Sequence, residues 1–171
     1  MSEQIGQQNS LDDIDRRLLE ALAEMPRAGI AQLARRAGIA RNTAQAHLDR
    51  MIAAGVIVGF GPEIDLGRVG YAVSAIVSLE IAQGRRGAID EHLIAIAEIV
   101  EAWMTTGSSD LLCRVVTRDN DHLGRVIAEI LEVPGVTRTT TSLLLSTPIA
   151  PRSLHLVTHD TGREERASGR F

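Results

Sequence analysis

The sequence predicts an α+β chain in two modules, an N-terminal helix-turn-helix unit followed by a ferredoxin-like βαββαβ sandwich. Three observations carry this. Apolar residues recur at helical spacing three times before residue 55, with a glycine between the second and third helices. After Gly61-Pro62 the period changes to the alternation of a strand. The remaining elements then alternate in the order β-α-β-β-α-β, that of a split βαβ unit. A chain of 171 residues suits one compact domain or two small ones.

The first ten residues, polar and rich in Gln, read as a flexible arm. Ser10-Leu-Asp-Asp13 is a helix start, with Ser10 or Asp12 as cap and acids at the positive end of the dipole. Leu11, Ile14, Leu18, Leu19 and Leu22 form its apolar stripe, and Pro26 and Gly29 punctuate it. Residues 30–37 make a short helix with Ile30, Leu33, Ala34 and Ala37 inward, and Gly38 supplies a left-handed turn residue. A third helix over 40–54 turns Ala44, Leu48, Met51 and Ile52 toward the other two, and Val56–Phe60 reads as a short strand. These residues, 11–60, form one domain; 61–70 is a linker.

The second domain spans 71–147. Tyr71–Ile81 is a strand with Val73, Ala75, Val77, Leu79 and Ile81 on one face, and Gly84–Gly87 breaks it. Ile89, Leu93, Ile96, Ala97 and Val100 repeat at helical spacing. Ala102–Thr106 and Asp110–Thr117 are strands around a Gly107-Ser-Ser109 turn. Asp119 or Asn120 caps a helix carrying Leu123, Val126, Ile127, Ile130 and Leu131, Pro134-Gly135 ends it, and Val136–Ser146 is the last strand. Residues 148–171 form a C-terminal tail, with a short apolar stretch at Leu154–Val157.

Composition narrows the function. No apolar stretch approaches the roughly 18 residues of a membrane span, and the first residues lack a signal peptide's basic and apolar regions. A single cysteine, Cys113, forms no intramolecular disulfide, which suits a cytoplasmic protein. Only four residues are aromatic, too few for stacking on single-stranded nucleic acid. The net charge of −4 is uneven: residues 11–60 carry seven Arg against six acids, and residues 61–150 seven Arg against twelve. The first module is therefore the candidate for a polyanionic partner.

The third helix presents Arg41, Asn42, Thr43, Gln45, His47 and Arg50 away from its apolar stripe. Near the start of such a helix Arg suits guanine and Asn or Gln suits adenine in the major groove of double-stranded DNA. Arg35, Arg36 and Arg50 are placed for phosphate. A plain docking or dimerisation module with a solvated polar face would show the same pattern. In the acidic domain, the Gly107-Ser-Ser-Asp110 turn exposes backbone N–H groups suited to a carboxylate, with Asp110 suited to an ammonium group. Together they match the two ends of a free amino acid; equally, Gly107 could serve only the turn and Asp110 only cap it. Asp119 is a further pocket candidate that a capping role also explains.

Leu11-Asp-Asp-Ile-Asp15 with Arg17-Leu-Leu, Ile39 through Arg50, Ala54-Gly-Val-Ile57, Gly107-Ser-Ser-Asp110, Pro134-Gly-Val136, Thr139 and Thr141 together resemble the Lrp/AsnC family of bacterial and archaeal transcription regulators. The resemblance runs from residue 11 to about 146. It implies a winged helix-turn-helix followed by a ferredoxin-like effector (RAM) domain, dimers paired through their sheets, frequent octamers, and an amino acid or similar effector held between dimers. It also places the effector near Gly107, Ser109 and Asp110 and near Thr139 and Thr141. The chain departs from the family where Ala40 replaces a usual capping Ser, and where Ala46 and His47 stand at positions that tend to carry Arg. Asn42 or the Ile39 backbone would then have to manage the helix start.

Catalysis finds no support in the sequence. Cys113 alternates with Leu111 and Val115 as a packed thiol; Trp103 suits a sheet or dimer interface, and His92 and His122 sit at helix starts. No metal-ligand spacing, P-loop or dinucleotide fingerprint is present, so no cofactor or metal is expected. Sirohaem decarboxylases resemble the family in both modules, but their His- and Arg-containing stretch falls where this chain reads Trp103-Met-Thr-Thr-Gly107. The expected function is a ligand-responsive DNA-binding regulator. Such an enzyme, or an amino-acid sensor that docks on a protein, are the alternatives.

Overall fold

A computed structural model describes residues 11–82 and 86–158. The expected N-terminal arm, the first two residues of the Gly84–Gly87 break and the tail beyond 158 lie outside these residues; the other two residues of that break open a helix. The chain divides into two compact units, Glu63–Ile149 and a second formed by the described residues up to Pro62 together with those from Ala150 onward.

The N-terminal unit is built on α1 (Asp13–Glu24), α2 (Ile30–Ala37) and α3 (Arg41–Ala53). Of the two candidate caps for α1, Asp12 is the one used. Its carboxylate accepts from the Asp15 N–H (2.9 Å) while Asp15 accepts from the Asp12 N–H (3.1 Å), closing a capping box. Gly38 ends α2 at φ +68°, a left-handed conformation that a residue with Cβ adopts only at a cost. Leu18, Ala21, Leu33, Ala34, Ala37, Ala44 and Met51 are buried together, and the alanines let the helices approach closely. Two expectations fail. Ile52 is 42% exposed rather than turned into the core. Val56–Phe60 forms no strand: no neighbouring strand offers it a ladder, and Val58 is 97% exposed. A short helix α6 (Leu154–Thr158) also belongs to this unit. It packs on α1, where the Arg16 Nε donates to the Val157 carbonyl at 3.1 Å.

The other unit has β1 (Val73–Ile81), α4 (Arg86–Ala95), β2 (Ile99–Met104), β3 (Leu111–Thr117), α5 (Asn120–Glu132) and β4 (Val136–Leu143). A short 3-10 turn, Gly67–Val69, lies within the expected linker. The four strands form one antiparallel sheet in the order β2-β3-β1-β4, the ferredoxin-like arrangement. Ala75, Val77 and Leu79 of β1 and Leu111, Cys113 and Val115 of β3 face one way and are buried with Ile89, Leu93, Ile96, Leu123, Val126 and Ile130. Val100 is a correction. The helical stripe read through it stops at Ala95, and Val100 lies in β2, 38% exposed. The opposite face of the sheet carries half-buried Ile76 and Leu112, with Trp103 beside Leu112 and 47% exposed.

Candidate functional site

The start of α3 differs from that of α1. Ala40 occupies the N-cap position and no side chain caps the helix, so neither Asn42 nor any other side chain takes over the missing Ser's role. The first-turn N–H groups, at the positive end of the helix dipole, are left for solvent or an anion. Around that end Arg41, Asn42 and Gln45 are exposed, and Thr43 is half-buried. Gln45 donates to Asp49 one turn on, at 2.8 Å. Among the described residues Arg41 has no ion-pair partner.

The other expected DNA contacts are distributed unequally. Arg35 on α2 is exposed with no ion-pair partner among the described residues, whereas Arg36 grips Glu24 with two bonds of 2.7 Å. Those bonds to Glu24 raise the Arg36 pKa above its ordinary value. His47 and Arg50 turn toward α1: the His47 Nδ1 lies 2.9 Å from an Asp15 oxygen, and an Arg50 terminal nitrogen lies 2.6 Å from Asp15 and 3.1 Å from Asp12. Those bonds to Asp15 and Asp12 raise the Arg50 pKa. The Asp15 N–H, followed by Arg50 and His47, holds the Asp12 carboxyl below its ordinary value of 3.8. Asp12, Asp15 and His47 bring three possible metal-ligand atoms within 4.8 Å of one another, but Arg50 already occupies the same carboxylates.

In the sandwich, Gly107 adopts φ +123° in the loop between β2 and β3. The Ser109 carbonyl accepts from the Thr105 hydroxyl at 2.6 Å. Asp110 donates its N–H to the Leu79 carbonyl and accepts the Ile81 N–H on its carboxylate, both at 2.9 Å. Asp110 therefore stitches the loop to the end of β1, which is the turn-building role weighed above. Thr139 lies opposite Leu79 on β4, and Thr141 opposite Val77. Leu111 lies opposite Leu79 on the other side, so Thr139 and the start of β3 are two strand spacings apart, about 10 Å.

Asp119 does not join them. It caps α5, accepting from the His122 N–H at 2.7 Å. The length of β3 separates it from Leu111 by about 20 Å, so within one chain it lies at the far end of the sheet. A groove of about 420 Å³ runs between α4 and β2, lined by Leu93, Ile94, Val100, Ala102 and Met104 with Asp90 at its rim; none of the expected effector residues lines it.

Of the two histidines expected at helix starts, His122 is at one and His92 is not. His92 sits in the last turn of α4 rather than at a helix start. His122, in the first turn of α5, is half-buried with its Nε2 3.1 Å from Glu98. Cys113 is a fully buried thiol, and burial pushes its pKa up to about 11. Arg114, on the face opposite the core, has a buried Nε 3.4 Å from Glu101, close enough for an ion pair but without a hydrogen bond. Among the described residues no helix is long and apolar enough to cross a membrane.

Comparison with known proteins follows the same division. Residues 11–58 match a family described as winged helix-turn-helix DNA-binding, and residues 74–154 match the Lrp/AsnC ligand binding domain. The HTH-type transcriptional regulator AldR of Mycolicibacterium smegmatis is 33% identical over 138 residues, 78% of this chain and 81% of that protein. The HTH-type transcriptional regulator FL11 of Pyrococcus abyssi is 28% identical over 138 residues, 81% of this chain and 91% of that protein. Among solved structures, AsnC of E. coli superposes with a TM-score of 0.78 at 27% identity, covering 84% of this chain and 98% of that one.

Proposed function

The chain belongs to the Lrp/AsnC family of transcriptional regulators, and on that premise we propose that it reads DNA through the first turn and a half of α3 and answers to an amino acid at the Gly107–Asp110 loop. The observation that carries the first part is the uncapped start of α3, with Arg41, Asn42 and Gln45 exposed around it. Arg41 and Gln45 are long enough to reach base edges, Asn42 serves an edge or the backbone, and Thr43 packs beneath them. Arg35 supplies phosphate attraction, with Arg36 held by Glu24 as a secondary contributor.

In the second unit, Asp110 and Ser109 shape the loop while Gly107 leaves it open, and Thr139 lies across β1 from it on β4, with Thr141 two residues further along that strand. Asp119 would enter such a site only from another copy of the chain. The face of the sheet with Trp103, Ile76, Leu112 and the unsatisfied Arg114 Nε supports a homodimer paired through its sheets, from which octamers could be built. Regulation is then by binding rather than by covalent chemistry, in the cytoplasm, where the DNA is.

The test is fluorescence anisotropy with DNA from upstream of the protein's own gene against scrambled DNA, with and without a panel of amino acids. At least a tenfold preference, about 1.4 kcal/mol, shifted by one amino acid, is the expected result. Arg41→Ala with Gln45→Ala should abolish the preference while sedimentation shows an unchanged oligomer. Equal affinity of that double variant and the wild type for a mapped operator would refute the assignment of α3.

A further inference from the structure

Asp15 does more than complete a capping box. It is 2% exposed, and its two oxygens face donors from two helices. One oxygen is 2.9 Å from the His47 Nδ1; the other is 2.6 Å from an Arg50 nitrogen and 3.1 Å from the Asp12 N–H. His47 and Arg50 lie one turn apart on α3, 32 and 35 residues along the chain from Asp15. The same Arg50 nitrogen is 3.1 Å from the His47 Nδ1. A ring nitrogen that donates to Asp15 cannot also accept from Arg50, so this short approach is that of two donors converging on one carboxylate. The 2.9 Å approach to the Asp15 carboxylate is a hydrogen bond in the tautomer that carries a proton on the His47 Nδ1.

Two anchors one turn apart fix both the rotation and the height of α3 against α1. At about 100° per residue, Arg41, Asn42 and Gln45 fall roughly 120–220° around the helix from His47. The clamp thus lies on one side of α3 and the exposed polar side chains on the other. Arg50 is 55% exposed along its side chain, yet its charge is matched by Asp15 and Asp12. One terminal nitrogen is shared by both carboxylates, so a DNA phosphate would meet only the remaining guanidinium N–H groups, and would meet a charge that two carboxylates already offset.

We propose that Asp15 is the positioning residue of the reading helix, and that its hold on His47 and Arg50 withholds both from DNA phosphate. The withholding rests on the reading of α3 as the DNA-contacting helix; the positioning does not. His47 and Arg50, which resemble DNA contacts in the sequence, are in this account structural anchors, and α3 meets DNA through its N-terminal portion alone.

The experiment measures log K against log salt concentration for the full chain with one upstream duplex, comparing the wild type, Arg50→Ala, Asp15→Asn and the double variant. Each phosphate contact made by a cationic side chain contributes a slope of about −0.9. Arg50→Ala should leave the slope unchanged, because the charge is already spent on Asp15. Asp15→Asn should steepen it by up to about one unit as Arg50 is left with Asp12 alone, with a smaller ratio of upstream to scrambled binding, and the double variant should return to the wild-type slope. A slope made shallower by about one unit in Arg50→Ala alone would overturn the withholding, and this variant remains decisive if Asp15→Asn unfolds. Long-range proton–nitrogen NMR of the imidazoles tests the positioning without DNA. The His47 Nδ1 should be protonated in the wild type, and an unprotonated Nδ1 would overturn the clamp. A wild type that binds no DNA at low salt would defeat the function proposed above, leaving the positioning to be decided by this spectrum.

Discussion

Helices α1 and α3 pack in one small unit and begin in opposite ways. The first starts at a reciprocal pair of aspartates, each accepting the other's backbone N–H, with Arg50 and His47 drawn onto them. The second starts at Ala40 with nothing on its first-turn N–H groups. A cap stabilises a helix by about 1 kcal/mol, so α3 forgoes something that α1 has in full. The difference teaches a division of labour. The helix that holds is finished by its own side chains, whereas the helix proposed to read DNA has a positive end that no side chain caps.

The comparison breaks most completely if the shared floor is removed. Leu18, 2% exposed beneath both helices, is expected to cost about 3 kcal/mol as Leu18→Ala, measured by chemical denaturation of the N-terminal unit. Next in size, Asp12→Ala should lose about 1 kcal/mol and loosen Arg50, seen as earlier amide exchange at the start of α1. Ala40→Ser sharpens the contrast from the other side. It should stabilise α3 by up to about 1 kcal/mol, and a loss of stability would show that the α3 start is not short of a cap.

The smallest effect is acidic. The folded Asp12 pKa lies below 3.8, so its contribution is complete above that value and disappears as pH falls through the folded value. A wild-type acid-unfolding curve should therefore carry a component below pH about 3.8 that Asp12→Ala lacks. If both chains lose stability identically there, Asp12 makes no differential contribution.

What could be read from the sequence followed from local chemistry. The capping residues of α1, the left-handed Gly38, the alternating face of β1 and the Asp119 cap all act over four residues or fewer or repeat with a fixed period. The missing cap at Ala40 was legible as a departure from the family that the sequence resembles. The errors arose where a local pattern had no partner or no punctuation. Val56–Phe60 has a strand's composition but no neighbouring strand, and the helical stripe through Ile96 continued into Val100 because no Pro or Gly stands between Ala95 and Ile99. The bonds of His47 and Arg50 to Asp15 were not legible, because that carboxylate lies more than 30 residues away in the chain. Asp110 was legible as a turn residue, but its bond to Ile81 depends on strand pairing across the sheet.

The place of α6 beside α1 has a consequence for how the protein is made. The three helices of the N-terminal unit are synthesised first, and the Glu63–Ile149 unit follows in one uninterrupted run. Only then do Leu154–Thr158 leave the ribosome, bringing the carbonyl that Arg16 binds. The unit begun first is thus the last to be finished, and a chain released after residue 149 would contain every element of the sandwich but an N-terminal unit lacking the helix that packs on α1.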